Sequence, residues 1–165
     1  MKMVKVYMQD LDMKAEFKCT GAGCLIYCNG TKRFLIPFRS EKATPPNNCW
    51  GVWGGLTEPT DKSNLDTLTR EVKEESGLDL YKLEKVSIEP LCVNKQDDVS
   101  FITYLIRVDE EFKPILNWEH TKAGWFDEVA LESIPENKMH WGLKLAIQTM
   151  RVEKNESRAK GTNIH

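Results

Sequence analysis

Three glutamates, Glu71, Glu74 and Glu75, lie within just over one turn of a predicted helix. At about 100° per residue, their side chains fall within an arc of roughly 100°. Carboxylates this close repel one another, and near the C-terminal end of a helix they also oppose the helix dipole. A hard divalent cation such as Mg²⁺ removes both conflicts, because it takes oxygen ligands and bridges carboxylates to substrate phosphates. The alternative is a solvated acidic face, with Arg70 and Lys73 nearby.

The helix that carries these glutamates is indicated by its two ends and by an apolar stripe. Ser63 and Asp66 resemble a capping box, and Gly77 occupies the position at which helices commonly end. Glu75 borders the stripe, so the carboxylates straddle the edge of the buried face. The stripe consists of three apolar residues at helical spacing: Leu65, Leu68 and Val72.

Other elements follow from apolar runs and turn signals. Asn29-Gly30 between two apolar runs predicts a hairpin, and the run over residues 100–108 is apolar enough for the centre of a sheet. The order of strands, helix, strands and helix predicts a mixed α+β fold. The predicted strands cover residues 23–29, 32–38, 86–93 and 100–108 and a short segment ending at Phe126, and the second helix covers residues 139–152.

Composition limits the class of protein and its partners. With 165 residues, 41% of them hydrophobic, the chain fits one globular domain. A formal net charge of −2 and scattered basic residues predict neither a nucleic-acid polymer nor an anionic membrane as a partner. Residues 1–16 lack the hydrophobic region of a signal peptide, and no apolar stretch is long enough for a membrane span. The expected location is therefore the cytoplasm, and the oligomeric state stays open.

The five cysteines are expected to be reduced core residues. Their number is odd, and no CxxC pair or neighbouring histidine indicates a zinc site. Cys24 and Cys28 lie on one face of a predicted strand, which is typical of buried packing.

The segment over residues 54–78 resembles the sequence box of the Nudix hydrolase family. That box consists of Gly, five residues, Glu, seven residues, and then Arg-Glu-apolar-x-Glu-Glu-x-Gly-apolar. Residues 70–78 (REVKEESGL) match it at every defined position, and Gly55 matches the opening glycine. Asp61 replaces the first glutamate, and eight residues separate it from Arg70, which one extra loop residue explains. Because Asp61 is short and shifted in register, it is not expected to bind metal.

The resemblance covers about residues 17–150 and implies the Nudix fold, an α/β/α sandwich around a mixed sheet. We therefore expect a Nudix hydrolase domain over residues 17–152. Residues 1–16 would form an N-terminal segment, and residues 153–165 a flexible C-terminal tail.

The resemblance also implies roles for single residues in the box. Glu71, Glu74 and Glu75 would bind Mg²⁺ or Mn²⁺, and Glu71 and Glu74 are candidate catalytic carboxylates. The Gly54 carbonyl is a candidate for a further ligand. Arg70 would orient the glutamates rather than touch the substrate.

A further candidate lies outside the box. Glu119 stands six residues before Trp125, which begins an aromatic Trp-Phe pair. In many members of the family a glutamate at this distance completes the metal site, so Glu119 is by resemblance a distal metal ligand or the catalytic base. The alternative is an exposed loop glutamate.

The implied activity is cleavage of a small nucleotide-like substrate. It would be a divalent-metal-dependent pyrophosphohydrolase acting on a nucleoside diphosphate linked to another moiety, with water attacking phosphorus. Arg39 is a candidate contact for phosphate, unless it is a solvated loop residue. Trp50 and Trp53 are candidates for stacking against a base, with core packing as the alternative.

The substrate within this class is not fixed by the sequence. No marker for ADP-ribose, NADH, coenzyme A or diadenosine polyphosphates appears outside the box, so a nucleoside triphosphate is the default expectation. A Nudix-fold sensor or regulator that binds without cutting is the alternative, disfavoured by the intact glutamates. An RNA-processing enzyme is disfavoured by the lack of a basic patch or added domain.

Overall fold

The fold is built on one mixed β-sheet, seen in a computed structural model that describes residues 4–7 and 18–162. Its strands are β1 (Val4–Tyr7), β2 (Gly21–Cys28), β3 (Arg33–Arg39), β4 (Trp53–Leu56), β5 (Ser87–Gln96), β6 (Val99–Val108) and β7 (His120–Phe126). They run in the order β1-β5-β6-β2-β3-β7, while β4 pairs with β2 outside this path. β2 and β6 are parallel, and the other pairs between these strands are antiparallel.

Strand β2 changes partner along its length. Its first half, Gly21–Cys24, pairs with β4, whereas Ile26–Cys28 pairs with β3. Strand β6 accompanies β2 from end to end on its other edge. This arrangement places the short β4 beside the first half of β2, where the glutamate-bearing helix packs against both strands.

Three α-helices complete the fold within the described residues. They are α1 (Asn64–Ser76), α2 (Glu128–Glu132) and α3 (Trp141–Thr162), and single 3₁₀ turns cover Leu80–Lys82 and Glu136–Lys138. None of the helices in this part of the chain combines the length and the apolar character that crossing a membrane requires.

The two faces of the sheet carry separate hydrophobic cores, because neighbouring residues of a strand point to opposite faces. On one face, Cys24 and Ile26 of β2 pack with Leu68 and Val72 of α1. On the other face, residues of three strands, α2 and α3 pack together: Leu25, Ile36, Leu105, Leu131, Leu143 and Ile147. Helices thus cover both faces, which confirms the predicted α+β fold and its α/β/α sandwich.

The predicted hairpin and the central strand are confirmed. β2 and β3 flank the Asn29-Gly30 turn, and β6 lies between β5 and β2. The elements that sequence patterning misses are β1, β4 and α2, which have only four or five residues each. Segments this short do not complete a periodic pattern. All five cysteines are buried and free, as expected.

The apolar stripe of α1 needs one correction, because Leu65 is 47% exposed. The buried residues of α1 include Thr67, Leu68, Glu71, Val72, Glu75 and Ser76. At about 100° per residue, this buried arc centres between Leu68 and Glu75, and Leu65 falls at its margin. The buried face of α1 is therefore centred closer to the glutamates than the apolar spacing alone indicates.

Helix α3 begins at Trp141 rather than at residue 139, and it continues past residue 152 to Thr162. An ion pair with α2 supports this extension, since Lys154 lies 3.1 Å from Glu128. The flexibility expected for residues 153–165 stays a prediction, and residues 163–165 lie outside the described residues. So do residues 1–3 and 8–17, which include most of the expected N-terminal segment.

Candidate active site

Helix α1 is fixed at both ends, and this determines where its glutamates point. The Ser63 hydroxyl accepts a hydrogen bond from the Asp66 amide at 3.1 Å, as the capping pattern predicts. At the other end Gly77 adopts a left-handed φ of 78°, and its amide donates to the Lys73 carbonyl at 3.0 Å. Leu68 and Val72 are fully buried against the sheet. The register of the glutamates around the helix axis is therefore set by the core.

Two glycines allow β4 to approach β2 and α1 closely. Gly54 has a φ of 141°, and a Cβ at this position would lie 2.3 Å from the Ala22 carbonyl oxygen. A Cβ on Gly55 would lie 2.6 Å from Glu71 Oε1. Position 54 therefore requires glycine, whereas a side chain at position 55 would displace the Glu71 carboxylate. The Gly54 amide donates to Glu75 Oε1 at 2.7 Å, while the role of the Gly54 carbonyl as a metal ligand stays a prediction.

Glu75 is buried with an incomplete set of partners. Its side chain is 1% exposed, and its second oxygen, Oε2, has no hydrogen-bond partner in the structure. His120 Nδ1 lies 3.7 Å from Oε2. Both ring nitrogens of His120 are themselves buried without partners. Sequence reasoning missed His120. The available signal was its position directly after Glu119.

Glu119, in the turn before β7, comes together with the three glutamates of α1. Burial raises the pKa of Glu75 to about 9, and the charges of Glu119 and Glu71 act in the same direction. Burial also raises the pKa of Glu71 and of Glu119, and the charge of Glu74 adds to both shifts. These mutual effects define one carboxylate cluster: Glu71, Glu74, Glu75 and Glu119.

A divalent cation fits the carboxylate cluster on the chemistry of its donors. Mg²⁺ and Mn²⁺ prefer carboxylate oxygens, and a cation would relieve the repulsion that contributes to the raised pKa values. The unpartnered oxygen of Glu75 is a further sign that a positive or donating group is needed there. Among the described residues, no three His, Cys, Asp or Glu side chains already enclose a metal position. A cation held by this cluster would require the carboxylates to adjust.

Arg70 links the box loop to the cluster. Its guanidinium donates to both carboxylate oxygens of Asp61, at 2.8 and 3.1 Å, and to the Leu56 carbonyl at 2.9 Å. The same group donates to Glu71 Oε1 at 2.9 Å and lies 3.4 Å from Glu74 Oε2. Hydrogen bonds from Arg70 hold the pKa of Asp61 well below its usual range. Asp61 and the Leu56 carbonyl therefore fix Arg70 on one side, and Glu71 and Glu74 contact it on the other.

The structure corrects one candidate for base stacking, because Trp53 is fully buried. Its indole N–H donates to the Leu35 carbonyl at 3.0 Å, and its ring lies 5.3 Å from that of His120. A residue with no exposed face cannot stack on a ligand. Trp53 belongs to the hydrophobic core, so its role is core packing, the alternative that the sequence left open.

Arg39 and Trp50 are half-buried, and Trp50 packs against the core on the face of the sheet opposite α1. The positive charge of Arg39 lowers the pKa of Glu119 and Glu75, which places its guanidinium on the same side of the molecule. Trp50 is half-buried, with its ring edge-on to Phe38 at 5.1 Å, and the ammonium group of Lys122 lies 5.3 Å from its ring centroid. Arg39 therefore supplies a positive charge near the carboxylates, while the Trp50 ring contacts Phe38 and Lys122.

A cavity of about 630 Å³ lies elsewhere, on the opposite face of the sheet. Its lining comes from β2, β3, β5, β6, α2 and α3, and includes Tyr27, Phe34, Leu91, Leu131 and Met150. None of the four carboxylates lines it, so this cavity is separate from the candidate site.

Comparison with known proteins establishes the family. The profile of the NUDIX domain matches residues 18–147, which is most of the chain. The chain therefore belongs to the Nudix family. As a Nudix hydrolase, it acts on phosphoanhydride bonds. No curated protein sequence matches the chain.

Solved structures share the fold. A MutT NUDIX hydrolase from Burkholderia pseudomallei has a TM-score of 0.58 at 25% identity, over 81% of this chain and 98% of that chain. An Ap4A hydrolase from C. elegans has a TM-score of 0.60 at 19% identity, over 82% and 98% of the two chains. The NUDIX domain of Shewanella oneidensis NrtR, complexed with ADP ribose, has a TM-score of 0.60 at 15% identity, over 90% and 99%.

Proposed function

We propose that this hydrolase is divalent-metal-dependent and cleaves a nucleoside diphosphate linked to another moiety. The observation that carries the proposal is the carboxylate cluster, in which the charges of Glu71 and Glu119 act on the buried Glu75, and Glu75 keeps one oxygen without a partner. Four carboxylates in one place repel a polyphosphate unless a cation intervenes. Mg²⁺ or Mn²⁺ is therefore proposed as the cofactor.

The protein's own groups would then divide the work. Glu71, Glu74 and Glu75, with the Gly54 carbonyl, are proposed to hold the cation, which when bound supplies Lewis-acid activation of the phosphate and of the attacking water. Glu119 is proposed either to share in holding it or to accept the proton of the water. Burial raises the pKa of Glu119, which suits a proton acceptor near neutral pH.

Arg70 is proposed to position the glutamates rather than to bind substrate. Its guanidinium already donates to Asp61, Leu56 and Glu71, and few of its donors are left for a ligand. Its removal would release both the loop and Glu71.

The substrate is proposed to be a small nucleotide with the phosphates near Arg39 and the base near Trp50. The ADP-ribose complex and the Ap4A hydrolase among the similar folds support a nucleotide-like ligand, and a nucleoside triphosphate remains the default expectation. The expected cytoplasmic location and the lack of membrane or nucleic-acid partners stay predictions from composition.

The test is a panel of nucleoside triphosphates, dinucleoside polyphosphates and nucleotide sugars, incubated with Mg²⁺ or Mn²⁺, with products identified by mass spectrometry. Cleavage between phosphates, lost with excess chelator and lost in Glu75→Gln, is the expected result. Full activity in excess chelator would exclude the metal mechanism. Tight binding without any product would favour the alternative, a Nudix-fold module that binds a nucleotide without cutting it.

A further inference from the structure

We infer that His120 is a positioning residue for Glu75. It holds Oε2 of Glu75 by a hydrogen bond when that carboxylate binds a divalent cation. The inference rests on the proposed function, because Glu75 is taken there as a metal ligand. It concerns a side chain that the sequence box does not contain, on a strand remote from α1 in sequence.

The first observation is the unequal treatment of the two oxygens of Glu75. The Gly54 amide fixes Oε1 at 2.7 Å. Oε2 has no hydrogen-bond donor in the structure, and the Glu75 side chain is only 1% exposed. An ionised carboxylate buried in this way needs a donor on its second oxygen.

The second observation is that His120 is equally buried and equally unpartnered. Its side chain is 1% exposed, and neither Nδ1 nor Nε2 makes a hydrogen bond. Nδ1 lies 3.7 Å from Glu75 Oε2. Closing this gap to a hydrogen bond of about 3.0 Å needs a movement of less than about 1 Å. Because both groups are buried and lack a hydrogen-bond partner, each can satisfy the other.

The surroundings of His120 suit a holding role. Its ring packs at 5.3 Å from the buried ring of Trp53, which precedes Gly54 on β4. Its backbone pairs with Arg39 across β3 and β7, directly after Glu119. β4 therefore supplies the Gly54 amide on one side of Glu75, and β7 supplies the imidazole on the other. A neutral imidazole with its proton on Nδ1 donates to Oε2 and fixes the plane of the carboxylate.

The test compares His120→Asn with His120→Leu in the full chain. An asparagine amide nitrogen reaches about the position of Nδ1, whereas leucine offers no donor. His140→Gln is the matched control, because His140 is a second partly buried histidine, whose Nδ1 accepts a hydrogen bond from the Gly142 amide rather than facing a carboxylate. Metal-free protein is titrated with Mn²⁺, and free Mn²⁺ is followed by electron paramagnetic resonance. The melting temperature of each metal-free variant is measured in parallel.

His120→Leu is expected to weaken Mn²⁺ binding roughly tenfold or more, the usual loss when a group that orients a metal ligand is removed. His120→Asn should stay within about threefold of the unaltered protein, and His140→Gln should leave Mn²⁺ binding unchanged. A merely structural role predicts the reverse: His120→Leu lowers the melting temperature but spares Mn²⁺ affinity, which would overturn the inference. Nitrogen coupling in the pulsed spectrum of bound Mn²⁺ that disappears in His120→Leu would also overturn it, since His120 would then be a ligand.

Failure of the proposed function has a different signature. If the unaltered protein and Glu75→Gln bind Mn²⁺ equally, Glu75 is not a metal ligand, whatever the His120 variants do. If Glu75→Gln loses Mn²⁺ binding while His120→Leu retains it, only the role of His120 is wrong.

Discussion

Arg70 and Asp61 form a bidentate ion pair, in which Arg70 Nη2 lies 2.8 Å from one carboxylate oxygen of Asp61 and Arg70 Nε lies 3.1 Å from the other. Asp61 is 5% exposed and also accepts hydrogen bonds from the Glu58 amide and the Thr67 hydroxyl. Asp61, the residue that departs from the sequence box, thus connects the loop before α1 to Arg70 of the helix. The extra residue between the two leaves this contact intact.

Asp61→Asn should therefore destabilise the protein more than it slows the reaction. The change removes the charge of the carboxylate that both Nε and Nη2 of the largely buried Arg70 contact, and a loss of about 1–3 kcal/mol in the free energy of unfolding is expected. Urea denaturation measures it. Glu58→Gln is the control, because Glu58 lies 3.4 Å from Arg70 but its side chain is 55% exposed, so its loss should be close to zero.

Glu75→Gln should have the opposite profile. The substitution keeps the shape of the side chain but removes a charge from the centre of the cluster, and turnover should fall roughly a hundredfold or more. Stability without metal should stay level or rise slightly, because the metal-free fold keeps Glu75 protonated at neutral pH, at a cost that glutamine avoids. The two variants are to be assayed together at saturating metal, at a temperature where both are folded. Equal loss of turnover in Asp61→Asn would place Asp61 in the reacting site.

The ends and the register of α1 could be predicted because they follow from local rules. Ser63 and Gly77 have the chemistry of helix ends, and the box glutamates follow at fixed spacing. The buried side of α1 was displaced from the apolar stripe because Glu75 itself is part of the buried face. A carboxylate in a core position contradicts the hydrophobic pattern, and such contradictions are concentrated at functional sites.

The contacts between distant segments were beyond sequence reasoning. The pairing of His120 with Glu75 depends on β7 and β4 meeting α1, and no local pattern encodes that approach. The role of Trp53 depends on a four-residue strand that is too short to give an alternating pattern. The position of Glu119 was foreseen only through the resemblance to a family.

Glu119→Gln should impair turnover without changing stability. Glu119 is half-buried in the turn before β7, and its backbone amide donates a hydrogen bond to Asn117 Oδ1 that the substitution leaves in place. The free energy of unfolding is expected to stay within about 0.5 kcal/mol of the unaltered protein. Steady-state kinetics and thermal melting of the same preparation measure both quantities. Unchanged kinetics would return Glu119 to an ordinary surface residue.

Substitution of Trp53 should change stability, whereas substitution of Trp50 should change KM. Trp53→Phe removes the hydrogen bond to the Leu35 carbonyl and part of the core volume, so it should cost about 1–3 kcal/mol of stability. Its KM should stay unchanged. Trp50→Leu should raise KM about tenfold or more if a base stacks on its ring, because such stacking contributes about 1–3 kcal/mol per base. An unchanged KM in Trp50→Leu would exclude the stacking role.

The stability of the metal-free protein should fall as pH rises, because of Glu75. The pKa of this carboxyl is about 9 in the fold, against an ordinary value of 4.5 that it regains on unfolding. Between these values the unfolded chain has released a proton that the folded chain still holds, so unfolding releases a proton and is favoured at higher pH. Denaturation with urea at a series of pH values from 7 to 8.5 measures the slope. In this range His120 and His140, whose pKa values burial lowers to about 4, are neutral in the fold.

Glu75→Gln is the matched control for this slope, because glutamine cannot ionise and leaves every other titrating group in place. The variant should lose less stability than the unaltered protein over the same range, and the two curves should diverge with rising pH. Saturating Mg²⁺ should reduce the slope of the unaltered protein, since a bound cation favours the ionised carboxylate. Parallel curves for the two metal-free proteins would mean that Glu75 is already ionised in the fold at neutral pH.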